Sequence, residues 1–403
     1  MAVAAKQSGY RVIVLLRRPP SCPNPFTESL RTNGILFWMP PRSILTVIRA
    51  LLWSLTVMGM GLLPVYVLYK REMSFGTSKR LWAELRYLIV GGLTDRWLNR
   101  WLYRTLDRTN RQSPITLIHG HRCDRAMPLV AAWAEQNRVP MICHVHSGMN
   151  EANALRRGAW AYTEEQIALI RRHCHILTLS PLLIPKAIDA FGEPVRASGL
   201  PNWIPDRGVR QKDDKANDTC VMATVSRLVP RKGLEIFVEA MGIVAKQAKG
   251  ATAVVIGDGP LMENLQRIAA DCQVRVQFTG QLTPEEVQEF LETEVDVFVL
   301  ASEDEGLPMT IIEAMASGLP IIATPVGAVP DLVRDAENGY LVPVGDVSAL
   351  AEAMYLLATD PERRLAMGKA SRERYLAHFS QEAVWPKLEA LYQSLVAEAG
   401  ART

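Results

Sequence analysis

Short apolar runs without polar alternation recur along this chain, each followed by a loop and, where the length allows, a helical pattern. That grammar limits the fold more than any other feature. Residues 11–16 (RVIVLL), 115–119 (ITLIH), 140–144 (PMICH) and 175–179 (HILTL) form a first series. Residues 220–226 (CVMATVS), 252–256 (TAVVI), 274–278 (VRVQF), 295–299 (VDVFV) and 320–323 (PIIA) form a second. Strands apolar on both sides belong in parallel sheets with helices on both faces, and strand–helix alternation supplies the crossovers. Each half therefore reads as a doubly wound α/β domain with a parallel sheet. The 403 residues suit two such domains. The polar stretch 206–218 (DRGVRQKDDKAND) reads as a linker between domains at 1–205 and 219–379, and 380–403 carries the apolar period of a closing helix.

Composition excludes several classes. With 48% hydrophobic and 22% charged residues, the chain is neither disordered, collagenous nor a coiled coil. Six cysteines without a CxxC pair read as reduced thiols in a cytosolic protein, and the opening residues lack a signal peptide's basic start and apolar core. The net charge of +3 hides an asymmetry: residues 1–210 carry 28 Lys and Arg against 13 Asp and Glu, a charge of +15, while the remainder carries 17 against 29, or −12. Opposite signs on two domains point to a polyanionic or membrane-surface partner for the basic one. A nucleic-acid partner is not expected.

An apolar and basic insertion at about 44–110 interrupts the first half. Residues 51–69 (LLWSLTVMGMGLLPVYVLY) carry no charge over nineteen positions, enough for a membrane span, but Pro64 and several glycines interrupt them. A buried helical hairpin, a monotopic membrane contact and a span all fit that run. Arg96, Arg100, Arg104 and Arg108 then recur every fourth residue beside Trp97, Trp101, Leu98, Leu102 and Leu106. Such a helix either lies in a bilayer interface or presents a solvated face.

The chemistry concentrates in residues 302–332 (SEDEGLPMTIIEAMASGLPIIATPVGAVPDL). Glu305 and Glu313 are separated by Gly306, Leu307, Pro308 and the start of a helix expected over 309–317. A strand end, a glycine turn and a helix N-terminus together offer free N–H groups and a positive dipole end to an anion. Carboxylates placed there accept hydrogen bonds from vicinal hydroxyls of a sugar or ribose.

This segment resembles the E-x7-E signature of retaining glycosyltransferases of the GT-B fold, within the large family 4 group. Residues 225–233 (VSRLVPRKG) resemble that family's "GRL…KG" segment, and 256–260 (IGDGP) stand at the place of its glycine turn. The resemblance implies two Rossmann-like domains facing across a cleft, with 380–403 crossing back to the first. It implies that Arg227 and Lys232 clamp the donor diphosphate, aided by Thr310. Glu313 would bind the ribose and Glu305 the donor sugar, with Gly306, Leu307 and Pro308 holding the hexose. Fixed cations suit this reaction, because the departing nucleoside diphosphate gathers negative charge as the glycosidic bond breaks.

In the first half, His119 and His121 (LIHGH) and His144 and His146 (CHVHSG) end two successive strands, where doubly wound sheets bind ligands. Similar enzymes place an active-site histidine after the second of these, and the register from Pro140 favours His146. His119, His121 and His144 are then acceptor-side candidates, as is Asn202 in LPNWIPD, where relatives have Asn-Gly and this chain has Trp203. His119, His121, Cys123 and Asp124 cluster in sequence, as do His173, Cys174 and His175, but their spacing matches no zinc pattern and no metal is expected.

One departure from the family stands out. Residues 1–14 read as the tail of a helix and a second strand, so the family's first strand and glycine loop are not found. The resemblance implies transfer of a hexose, with retention, from a UDP- or GDP-linked sugar to a saccharide or lipid-linked acceptor, without a further cofactor. The basic half and its apolar run place that reaction at the inner face of the cell membrane, in polysaccharide or glycolipid synthesis. The alternatives are a catalytically weak nucleotide-sugar-binding or scaffolding subunit and a sugar epimerase of the same fold.

Overall fold

In the computed structural model the described residues are 13–15, 36–38, 92–121, 126–146, 162–208 and 219–401. The chain divides into two compact units, residues 1–116 with 132–139 and residues 117–131 with 140–403. The apolar run 51–69, the opening residues before Ile13, Cys123, Asp124 and linker residues 209–218 lie outside the described residues.

In the first unit, β1 (Ile13–Leu15) pairs in parallel with β2 (Leu36–Trp38), and α1 spans Gly92–Gln112. One side of α1 buries Leu102, Thr105, Leu106 and Thr109, while Arg100, Arg104 and Arg108 are exposed. The arginines therefore stand off the packed face. Trp133 is fully buried and donates its indole N–H to Asp107 at 2.7 Å, which satisfies its one polar side-chain atom. Among the described residues, no helix is long and apolar enough to cross a membrane.

The second unit holds two parallel sheets. The smaller runs in the order β3 (Ile118–His121), β4 (Met141–Val145), β5 (Cys174–Thr178) and β6 (Ala197–Gly199). Helices α2 (Met127–Gln136), α3 (Glu164–His173) and α4 (Ile184–Phe191) fall between successive strands. Helix α3 starts at Thr163 because T-E-E-Q closes a capping box: Thr163 accepts from the N–H of Gln166, whose side chain accepts from the N–H of Thr163. Strand β3 begins later than its apolar run implies, since Pro114 precedes the run and the Asn110 side chain accepts from the Ile115 N–H at 2.8 Å.

The larger sheet comprises β7 (Cys220–Val225), β8 (Ala251–Ile256), β9 (Val276–Gly280), β10 (Val297–Leu300), β11 (Ile321–Ala323) and β12 (Gly339–Leu341). Their order is β12-β11-β10-β7-β8-β9, all parallel. Helices α5 (Leu234–Gln247), α6 (Met262–Asp271), α7 (Pro284–Thr293), α8 (Met309–Ala316) and α9 (Val329–Leu332) connect them. Successive residues of β10 enter different cores: Val297 and Val299 pack with Met222, Phe237 and Met354, whereas Phe298 and Leu300 pack with Ala223, Ile311 and Ile312. Period-2 geometry applied to an unbroken apolar run gives this result, and it is why these strands show no polar alternation.

Three further helices close the chain, α10 (Val347–Thr359), α11 (Pro361–His378) and α12 (Gln381–Gly400), each capped by an oxygen of Asp346, Asp360 or Ser380. Arg372 of α11 pairs with Asp206 at 2.6 Å, and the Tyr375 hydroxyl donates to the Ile204 carbonyl. Helix α12 then reaches the smaller sheet, where the Tyr392 hydroxyl lies 2.7 Å from His119 Nδ1 and Glu398 pairs with Arg196 at 2.9 Å.

Candidate active site

Strand β7 has β8 on one side and β10 on the other, so chain direction across the larger sheet reverses there. Ligands of doubly wound sheets bind at the carboxyl ends of such strands. The loops after β7 and β10 carry the two motifs. After β7 the chain passes exposed Arg227 and a 3₁₀ turn, Pro230–Lys232, to Gly233 and α5. After β10 it passes Ser302 and Glu305 to α8.

These loops are joined. The Glu303 N–H donates to the Arg231 carbonyl at 3.0 Å, and Arg231 pairs with Asp304 at 3.3 Å. Lys232 Nζ lies 2.6 Å from Glu305 Oε1, their side chains only 21% and 11% exposed. Ser302 is buried and donates to the same carboxylate oxygen at 2.7 Å. Lys232 and Glu305 therefore share one polar site, where their opposite charges meet.

The backbone fixes that approach. Gly233 has φ +60°, and a Cβ there would sit 2.0 Å from the Ala301 carbonyl oxygen. A Cβ on Gly327, whose φ is +56°, would sit equally close to the Glu305 carbonyl oxygen, and the Ala328 N–H donates to Gly306 O at 2.8 Å. Leu307 and Pro308 are buried, and the helix they lead into has no side-chain cap at its N-terminus. The Ile311 N–H donates to the Pro308 carbonyl at 3.2 Å, and the positive end of the helix dipole lies at Met309 and Thr310. Thr310 is half-buried in that turn. Glu313, one turn on, lines a pocket with Asp206, Gly208, Pro284 and Gln288, and burial raises its carboxyl pKa above the usual range.

In the smaller sheet, β3 and β4 run in parallel with His121 beside His144, so His119 and His121 share a face with His144 and His146. His119 Nε2 is 3.1 Å from His144 Nδ1, and His121 Nδ1 is 2.8 Å from His146 Nε2. Burial, followed by its neighbours His121 and His146, pushes the His119 pKa well down; burial and then His146 lower His121 to about 4. His144 is lowered by burial and then by His146, and it is fully buried, with no hydrogen-bond partner for Nε2 among the described residues. His146 is half-buried just past the strand end. Asn202 is half-buried beside Trp203, whose ring centroid lies 6.5 Å from that of Trp385. His175 instead meets Ser198 Oγ at 2.8 Å.

Two contributors were missed by sequence reasoning. Ser302 carried a signal, since it stands three residues before Glu305 at a strand end. Tyr392 carried none, being 273 residues from His119.

The family described as glycosyl transferases group 1 matches residues 207–374. The chain is 32% identical over 218 residues to the Mycobacterium tuberculosis GDP-mannose-dependent alpha-(1-6)-phosphatidylinositol monomannoside mannosyltransferase, covering 50% of this chain and 56% of that one. It is 33% identical over 177 residues to the lipopolysaccharide core biosynthesis glycosyltransferase LpsE of Rhizobium meliloti, covering 43% and 50% respectively. The chain thus spans about half the length of the curated relatives it matches. The crystal structure of Anabaena HepE in complex with UDP superposes with a TM-score of 0.69 at 17% identity, over 98% of this chain and 94% of that one. The fold is that of the GT-B glycosyltransferases, and the family match lies within residues 207–374.

Proposed function

We propose that this GT-B chain transfers a hexose from a nucleoside-diphosphate sugar to a hydroxyl of a saccharide or lipid-linked acceptor, with retention at the anomeric carbon, in the synthesis of cell-surface polysaccharide or glycolipid. The observation that carries this reading is the meeting of Lys232 and Glu305 on adjoining loops at the reversal point of the larger sheet, 2.6 Å apart. On donor binding, Lys232 exchanges Glu305 for the diphosphate, with Arg227, the open N-terminus of α8 and Thr310 around it. Glu305 turns to the hexose hydroxyls, beside the backbone of Gly306, Leu307 and Pro308, and Glu313 takes the ribose. As the glycosidic bond lengthens, charge grows on the leaving diphosphate, and fixed cations stabilise that state more than the bound substrate. The acceptor hydroxyl attacks from the face the diphosphate leaves, with His146 as the active-site histidine and His119, His121, His144 and Asn202 on the acceptor side.

Purified full-length chain, supplied with UDP- and GDP-hexoses and a lipid-linked acceptor, should release nucleoside diphosphate only when both substrates are present. Donor binding without turnover would overturn the enzyme reading in favour of a nucleotide-sugar-binding subunit. Conversion of free donor to its epimer would overturn it in favour of an epimerase.

The basic first half supports a site of action at the anionic inner face of the cell membrane, since juxtamembrane basic residues contribute about 1 kcal/mol each near such a surface. The chain should sediment with phosphatidylserine vesicles at low ionic strength and be released as salt shortens the screening length. Binding indifferent to salt would assign the contact to an apolar anchor, and no binding in either condition would remove the membrane from the proposal.

A further inference from the structure

The histidine array is more than an acceptor wall. Spacing along one strand gives i, i+2 pairs, which match no zinc pattern, but the parallel register of β3 and β4 adds a third imidazole to the first pair, 25 residues from His119. His119 and His121 stack with ring centroids 4.3 Å apart, and His144 stands 5.2 Å and 5.3 Å from them. One ring nitrogen from each of the three lies within 4.8 Å of the others.

We propose that His119, His121 and His144 bind a divalent transition-metal ion of the zinc class at the carboxyl end of β3 and β4. Imidazole nitrogen is a donor suited to zinc, copper and nickel, and three of them with an open fourth position make a site able to take a water or a substrate hydroxyl. The outer hydrogen bonds fit a ligand set. His119 Nδ1 faces the Tyr392 hydroxyl at 2.7 Å and His121 Nδ1 faces His146 at 2.8 Å, and such partners hold metal-binding imidazoles in place. Among the described residues, the buried His144 Nε2 has no hydrogen-bond partner. With His119 Nδ1 held by Tyr392, the other nitrogen of that ring, Nε2, lies 3.1 Å from His144 Nδ1, so these two nitrogens are placed to share an ion. A tetrahedral ion with nitrogens at about 2.0–2.1 Å would draw the rings inward from their present spacing. Since His121 touches His146, the ion would also steady the histidine nearest the proposed chemistry. The site does not depend on the transfer reaction, because occupancy is measured directly.

The full chain is stripped with a chelator, dialysed at neutral pH and titrated with Zn²⁺ by calorimetry and with Co²⁺ by visible absorption. One ion per chain is expected, with the intense visible bands of four- or five-coordinate cobalt. His121→Ala removes an exposed ligand and should abolish those bands while leaving the circular dichroism unchanged. Tyr392→Phe keeps all three ligands but frees the His119 ring, and should weaken binding about 10–100-fold. A folded wild-type chain that takes up no stoichiometric ion overturns the proposal. Equal affinity in wild type and His121→Ala also overturns it, because the ion would then be bound elsewhere.

Discussion

Lys232→Ala is expected to slow sugar transfer by about 10²–10³-fold, the range for loss of one preorganised charge-stabilising group, equivalent to about 2.7–4 kcal/mol. The fall should appear in kcat more than in KM, since the charge Lys232 meets is larger in the transition state than in the bound donor. The local structure adds a second reason. Glu305 is 11% exposed and has two partners, Lys232 at 2.6 Å and Ser302 at 2.7 Å. Removing the lysine leaves a poorly solvated carboxylate held by one hydroxyl, next to the place where two phosphates must bind. Lys232→Arg keeps the charge but spreads it over a planar fork, and should fall between the two. The check is the initial rate of nucleoside diphosphate release at saturating acceptor. A Lys232→Ala chain that transfers within about threefold of wild type would remove this residue from the diphosphate site, given how much such groups contribute.

Gly233→Ala should destabilise the larger sheet's loops through a single added methyl group. The backbone sits at φ +60°, where a side chain costs about 1–3 kcal/mol, and the new Cβ would stand 2.0 Å from the Ala301 carbonyl oxygen and 2.8 Å from its carbon. Both neighbours are backbone, so the loops must part, at about 1–3 kcal/mol more. The sum, about 2–6 kcal/mol, is a large share of the 5–15 kcal/mol by which a domain is stable. At about 2–4 °C per kcal/mol the midpoint should drop by roughly 4–24 °C in a thermal melt. Gly400→Ala, with no atom within 4 Å of the added carbon, should leave it within a degree or two by the same scaling. Because Gly233 follows Lys232 and Ala301 precedes Ser302, partial folding would still separate Lys232 from Glu305. A melt unchanged by Gly233→Ala would refute this account of the loop contact.

The strands of the larger sheet were legible because their signal is local. The apolar runs at 220–226, 252–256 and 295–299 are the segments that enter β7, β8 and β10. Strands β6 and β12, ASG and GYL, were not legible: three residues with one or no large apolar side chain carry no period, and their pairing comes from neighbours already in place. The helix over 309–317 ended one residue short, because Gly318 at φ +73° turns the chain out of the helix and the Leu319 N–H closes back on the Ala314 carbonyl at 3.0 Å. The donor motifs could be read as a set because each lies within one strand–loop–helix unit, where turn chemistry and chain spacing fix the placement.

Sequence alone determined the class of this protein: parallel α/β sheets, a basic half before an acidic one, and Glu305, Lys232 and Arg227 on loops that follow strands. Those properties follow from short-range periods, charges and turns, which a chain expresses before it folds. Tertiary structure alone decided which side chains meet. The contact of Lys232 with Glu305, 73 residues apart, depends on β7 and β10 becoming neighbours through crossovers. The array of four histidines depends on a register that no single strand contains, and Tyr392 joins it only because α12 returns to the smaller sheet. Sheet order and helix return are set by the packing of two apolar faces over the whole domain, so the partners they create leave no trace in local sequence.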